Sequence, residues 1–169
     1  PGRFESGSKF SWRGWLTTAP LVWPSRDFLV YVPKGRPLFK RAPLLVWCHG
    51  CKQTPEEFAQ GTRIAAFADR AGYVVLLPRQ KQTANPWRCW NWFDRRTMRG
   101  HGESAILAAQ IRHVRRAYRI DHGRILVAGM SAGGAKCRLL QNSRTSPFAS
   151  GTTKPPSRLN FFQIDSLTF

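Results

Sequence analysis

At 169 residues the chain fits one domain better than two, and its 42% hydrophobic and 12% aromatic content, with seven Trp, excludes a disordered polymer poor in aromatics. Its 27 Lys+Arg against 9 Asp+Glu give a net charge of +18, which would suit a nucleic-acid or membrane-surface binder. The basic residues Arg3, Lys34, Arg36, Arg63, Arg95 and Arg112 are nonetheless scattered along the chain, so no nucleic-acid partner is expected; no apolar run of ~18 residues could span a membrane, and no signal peptide is visible.

Residues 1–26 read as irregular and aromatic, broken by Gly2, Gly7, Gly14, Pro20 and Pro24. Asp27–Val32 reads as a strand ended by Pro33, and Leu44–Cys48 as a short apolar run of the buried parallel kind. Pro55–Ala71 has helical spacing of Phe58, Ile64, Ala65, Phe67 and Ala68, with Gly72 where a C-terminal cap belongs. Tyr73–Leu77 is a second buried-strand signal. Residues 79–100 form a long loop, and Trp87, Trp90, Trp92 and Phe93 argue that it is ordered and functional. Glu103–Tyr118 is a helix with Ile106, Leu107, Ile111 and Val114 on one face, and its Arg112–Arg116 cluster reads as a solvated face. Asp121–Gly123 is a turn, and Arg124–Ala128 the third buried strand. Strands alternating with helices require crossovers and a parallel sheet. After Ala135 the composition turns to Ser, Thr, Pro and Asn, and only Leu159–Ile164 has strand character.

The chemistry centres on Gly129-Met130-Ser131-Ala132-Gly133, a G-x-S-x-G at a strand-to-helix junction. So tight a turn requires glycine at the flanking positions. The serine is then raised above the carboxyl edge of the sheet as a nucleophile, and the Ala132 amide points at the developing oxyanion. A second oxyanion amide is expected from the His-Gly loop after an earlier strand, here Cys48-His49-Gly50-Cys51, and is assigned to Cys51. The same four residues form a C-x-x-C, but they lack the strand-then-helix setting of a redox pair. His49 reads as shaping the loop rather than acting as the base, because the base of this arrangement follows the serine in the chain. No metal-ligand pattern and no cofactor motif is present.

The succession HGCKQT, AGYVVLLPRQ, NPWRCWNWF, RGHGE and ILVAGMSAGGA resembles the polyhydroxybutyrate (PHB) depolymerase family of serine esterases over Asp27 to Ala135. The resemblance implies an α/β-hydrolase fold, a mostly exported enzyme and an acyl-enzyme mechanism, with a polyester or polysaccharide ester as substrate. It also implies a disulfide between Cys51 and Cys89, and a crevice lined by Trp87, Trp90 and Trp92, with Trp90 and Phe93 as core the alternative. Cys48 would then be a small buried hydrophobe. The pattern departs after the serine. Downstream stand one acid, Asp165, and no histidine, and Lys136, Arg138, Gln141 and Asn142 interrupt the apolar helix that the family continues with. An α/β-hydrolase sheet also needs roughly 200 residues. The chain therefore divides into an irregular segment over 1–26, a partial hydrolase domain over 27–135, its later strands missing or divergent, and a disordered tail over 136–169. It reads as truncated after the nucleophile and inactive as it stands; a non-catalytic polymer binder with a basic, Trp-rich surface is the alternative.

Overall fold

A computed structural model describes residues 2–10, 25–36, 39–142 and 163–164. Its six strands are β1 (Arg3–Phe10), β2 (Ser25–Val32), β3 (Ala42–Cys48), β4 (Val74–Pro78), β5 (Ile120–Met130) and β6 (Gln163–Ile164). They form one sheet in the order β1-β2-β4-β3-β5-β6. β4, β3, β5 and β6 run parallel to one another, whereas β2 is antiparallel to both β1 and β4. Every residue of β3 and β4 is buried, as continuous apolar runs in strands covered on both faces require.

Side chains alternate across these strands. Leu44, Val46, Cys48, Val74, Leu76 and Val127 face one layer, packed against Leu107, Ile111 and Val114 of α4 (Gly102–Ala117) and Ala132 and Cys137 of α5 (Ala132–Asn142). Leu45, Trp47, Val75 and Leu77 face the other, against Phe58 of α1 (Pro55–Gly61) and Ile64 and Ala68 of α2 (Ile64–Ala71). Truncating one of the fully buried leucines, such as Leu76, would cost about 2–5 kcal/mol.

The single helix expected over Pro55–Ala71 is two. α1 starts on a capping box in which Thr54 and Glu57 satisfy each other's backbone amides. It stops at Thr62, whose hydroxyl donates to the Phe58 carbonyl at 2.6 Å and accepts from Trp47 Nε1 at 3.2 Å. Arg63 then takes a left-handed φ of 50° before α2 begins, and Gly72 ends α2 at φ 72°. The 79–100 segment holds one short helix, α3 (Arg95–Met98), capped by Asp94.

Three readings of the sequence are corrected here. Residues 1–26 are not uniformly irregular, since Arg3–Phe10 pairs along its whole length with β2. Gly7 does not break this strand but makes it possible: a Cβ there would lie 2.6 Å from the Phe28 ring. The Asp121–Gly123 turn lies inside β5, exposed to solvent, beside an irregularity in the β3 register between Ala42 and Leu44. The boundary at 135 is also misplaced. α5 runs on to Asn142 with Lys136 and Cys137 buried, and Gln163 pairs with Gly129 as the start of β6. The rest of the 136–169 segment, and residues 11–24, lie outside the described residues.

Candidate active site

Ser131 stands between the end of β5 and the start of α5, exposed, with φ 53°. A non-glycine residue in the left-handed region is strained and persists only where its surroundings enforce it. Here the enforcement comes from close backbone packing. A Cβ on Gly129 would come within 2.5 Å of the Cys48 carbonyl oxygen, and one on Gly133 within 2.4 Å of the same atom and 2.5 Å of the His49 oxygen. Both flanking glycines are thus fixed by the approach of β3 and its following loop. Ala135 N donates to the Ser131 carbonyl at 3.1 Å, opening the first turn of α5 above the serine, with Ala132 at its first position.

The His49-Gly50 loop lies against this elbow. His49 is 1% exposed. Its Nε2 accepts from Gln80 N at 3.2 Å, which leaves the proton on Nδ1 to donate to the Gly50 carbonyl at 2.7 Å. Burial lowers its pKa, so the ring is neutral. With both nitrogens engaged by backbone, His49 shapes the loop. Gly50 N donates to Gln53 Oε1 at 2.9 Å, closing the turn that presents Cys51.

Cys51 is bonded to Cys89, closing a loop of sequence separation 38. This pins the aromatic segment beside the His-Gly loop, and Lys52 N donates to the Trp87 carbonyl at 2.7 Å. Trp90 is 1% exposed, and its Nε1 donates to the His49 carbonyl at 3.0 Å. Trp90 is therefore corrected from a crevice residue to a core one, because its only polar atom is spent on holding the loop beside the elbow. Phe93, which the alternative reading placed in the core with Trp90, is exposed; Trp87, at 63%, and Trp92, at 44%, are accessible, and Lys52 Nζ sits 4.9 Å from the Trp87 ring centroid.

Beneath these loops lies a polar network that the sequence did not reveal. Glu103, nearly buried at the start of α4, accepts from Gln80 Nε2 at 2.5 Å and Asn91 Nδ2 at 2.9 Å through Oε1, and from Asn91 N at 3.0 Å through Oε2. Lys136 of α5 approaches Oε2 at 3.9 Å and donates to Ser104 Oγ at 3.0 Å. Burial pushes its pKa down to about 8, against the pull of Glu103. One carboxylate thus ties together the strand-end loop, the aromatic segment and the nucleophile helix. Glu103 stood in the RGHGE string and Gln80 in PRQ, but no spacing rule links a residue after β4 to one on α4.

The other histidines lie elsewhere. His113 packs edge-on against Phe28 from α4, His122 is exposed within β5 at the end of the strand away from Ser131, and His101 stands at the N-cap position of α4 with no side-chain capping bond. Among the described residues no cluster of His, Cys, Asp or Glu could hold a metal ion, and no helix is long and apolar enough to cross a membrane.

Residues 26–155 match the family described as esterase PHB depolymerase. The chain is 33% identical over 104 residues to poly(3-hydroxyalkanoate) depolymerase C of Paucimonas lemoignei, covering 61% of this chain and 24% of that one. It is 28% identical over 123 residues to feruloyl esterase B of Neurospora crassa, and 26% identical over 126 residues to acetylxylan esterase A of Emericella nidulans. These cover 72% and 73% of this chain and 40% of each relative. The chain thus spans between a quarter and two-fifths of the length of these relatives. Among solved structures it superposes on a ferulic acid esterase with a TM-score of 0.60 at 20% identity, covering 80% of this chain and 53% of that one. It superposes on a poly(3-hydroxybutyrate) depolymerase from Bordetella parapertussis with a TM-score of 0.52 at 19% identity, over 73% and 45%. The fold is that of the α/β-hydrolases.

Proposed function

Because this chain belongs to the esterase PHB depolymerase family, we propose that it carries the nucleophile part of a carboxylic ester hydrolase that works through an acyl-enzyme. Ser131 Oγ attacks the ester carbonyl, and the Cys51 and Ala132 amides donate to the oxyanion that forms. Trp87 and Trp92 offer flat apolar faces to the substrate. That substrate is a polyester or polysaccharide ester, a reading supported by relatives named as depolymerase, feruloyl esterase and acetylxylan esterase. The Cys51–Cys89 disulfide supports an extracellular or periplasmic location. The observation that carries the reading is the enforced φ of 53° at Ser131, between glycines that admit no side chain.

The triad acid and histidine belong, on this reading, to the part of the relatives' length that the chain does not span. Downstream of Ser131 stand Asp165 and no histidine, so within this chain the serine has no base. A triad missing a member keeps only ~10³–10⁴-fold catalysis over water. The test is hydrolysis of p-nitrophenyl acetate and butyrate by the chain and by Ser131→Ala, with and without added imidazole as an external base. The expected result is little Ser131-dependent hydrolysis alone and a Ser131-dependent increase with imidazole. A strong Ser131-dependent rate without imidazole overturns the missing base. No dependence on Ser131 under either condition sinks the esterase reading and favours a polymer binder that uses the exposed tryptophans.

A further inference from the structure

At the end of the sheet opposite Ser131, a groove of about 580 Å³ opens between the β1–β2 edge and the C-terminal end of α4. Tyr31 pairs with Val75 and Leu44 with Val74, so Val32 and Arg119 lie at the amino ends of the parallel strands. The 11 residues of β5 separate this end from the elbow by roughly 30 Å. Arg3, Lys34, Arg36 and Arg119 line the groove against one carboxylate, Glu5. Glu5 is already engaged, accepting from the Tyr118 hydroxyl and from Arg3 Nε.

Arg36 is the anomaly. Its Nη2 donates to the Tyr118 carbonyl, but its Nε is buried with no acceptor. Burial and the nearby Arg119 charge both disfavour its protonated form. Arg119 itself is held at φ 48°, with its carbonyl taken by Ala42 N at 3.3 Å. A like-charged pair around an unsatisfied buried donor is unfavourable by itself. An oxyanion between the two guanidiniums would relieve the repulsion and accept from the orphan N–H, in the forked geometry that guanidinium prefers.

We propose that this groove binds a small, multiply charged oxyanion of the phosphate type, held by Arg36 and Arg119 with Lys34 beside them. The excess of lining cations favours more than one negative charge, and Val32, Pro33 and Ala117 leave an apolar wall for a short organic body. The site is independent of Ser131 and of the esterase reading. It is tested by calorimetric titration of sodium phosphate into the full chain, with ionic strength held constant by sodium chloride. Saturable binding is expected, weakened at least tenfold by Arg119→Gln and by Arg36→Gln and unchanged by Arg95→Gln at the other end of the sheet. Arg119 is exposed, so its variant keeps the test sound if Arg36→Gln folds poorly. Three results would each overturn the proposal: no saturation beyond the chloride control, equal weakening by Arg95→Gln, or wild-type affinity in Arg119→Gln. A single-stranded oligonucleotide that outcompetes phosphate and ignores both Arg36 and Arg119 would overturn it in favour of diffuse attraction to the net charge.

Discussion

Lys136 is an ammonium-bearing side chain with no exposure, set on the helix that follows the nucleophile. Glu103 and Ser104 face it from α4, and Cys48 and Cys137 from β3 and its own helix. Its pKa falls from 10.5 in the unfolded chain to about 8 in the fold. The unfolded state therefore binds this proton more tightly, and stability rises with pH between about 8 and 10.5. The drop corresponds to about 3 kcal/mol of penalty, fully present below pH 8. From pH 7 to pH 9 the wild type should recover about 1 kcal/mol of it. Lys136→Met keeps the length of the side chain and removes the charge, while Gln80 and Asn91 still hold Glu103. Urea unfolding of both proteins at pH 7, 8 and 9 isolates the effect as the pH dependence of their difference. The window closes at pH 9, because the buried Cys137 thiol, held well above its ordinary value by burial, then contributes with the opposite sign. A wild-type-minus-variant difference that stays flat over this range would refute a depressed Lys136.

Two other perturbations probe the scaffold of the site. Gly133→Ala places a methyl 2.4 Å from the Cys48 carbonyl oxygen; it should destabilise by about 1–3 kcal/mol or more through overpacking, and a variant as stable as wild type in urea would contradict the close approach. Replacing Cys51 and Cys89 together by Ala removes a loop of separation 38, worth roughly 4 kcal/mol by loop-closure entropy; thermal unfolding unchanged from the oxidised wild type would show that the aromatic segment is held by its hydrogen bonds alone.

The nucleophile was legible because its constraint is local. Gly129 and Gly133 sit a fixed distance from Ser131 in the chain, and the apolar run before them names the strand they end. β3 and β4 were legible for the same reason, since burial on both faces writes an uninterrupted apolar string. What escaped depends on contacts distant in sequence. Trp90 gives no sign in its own segment that its indole will donate 41 positions back to His49. Lys136 looked like a polar interruption because only the folded α4, carrying Glu103 and Ser104 to it, makes a buried cation tolerable. β1 was hidden by a glycine whose missing side chain is filled by Phe28 from the next strand.

These contacts separate the geometry of the serine from its chemistry. The strain at Ser131 is imposed by Cys48, His49, Gly129 and Gly133, in β3 and the loop that leaves it, the end of β5 and the first turn of α5. The neighbouring loop is fixed by Trp90, Glu103 and the disulfide. None of these interactions involves a triad acid or histidine. The elbow can therefore be preorganised before any base is present, and preorganised backbone donors are the largest single contribution to acyl-transfer catalysis. A histidine brought to Ser131 from outside this set of contacts would find the nucleophile already posed. The elbow is then best regarded as a folded unit to which proton transfer is added, which is why imidazole in solution is an informative stand-in for a triad histidine.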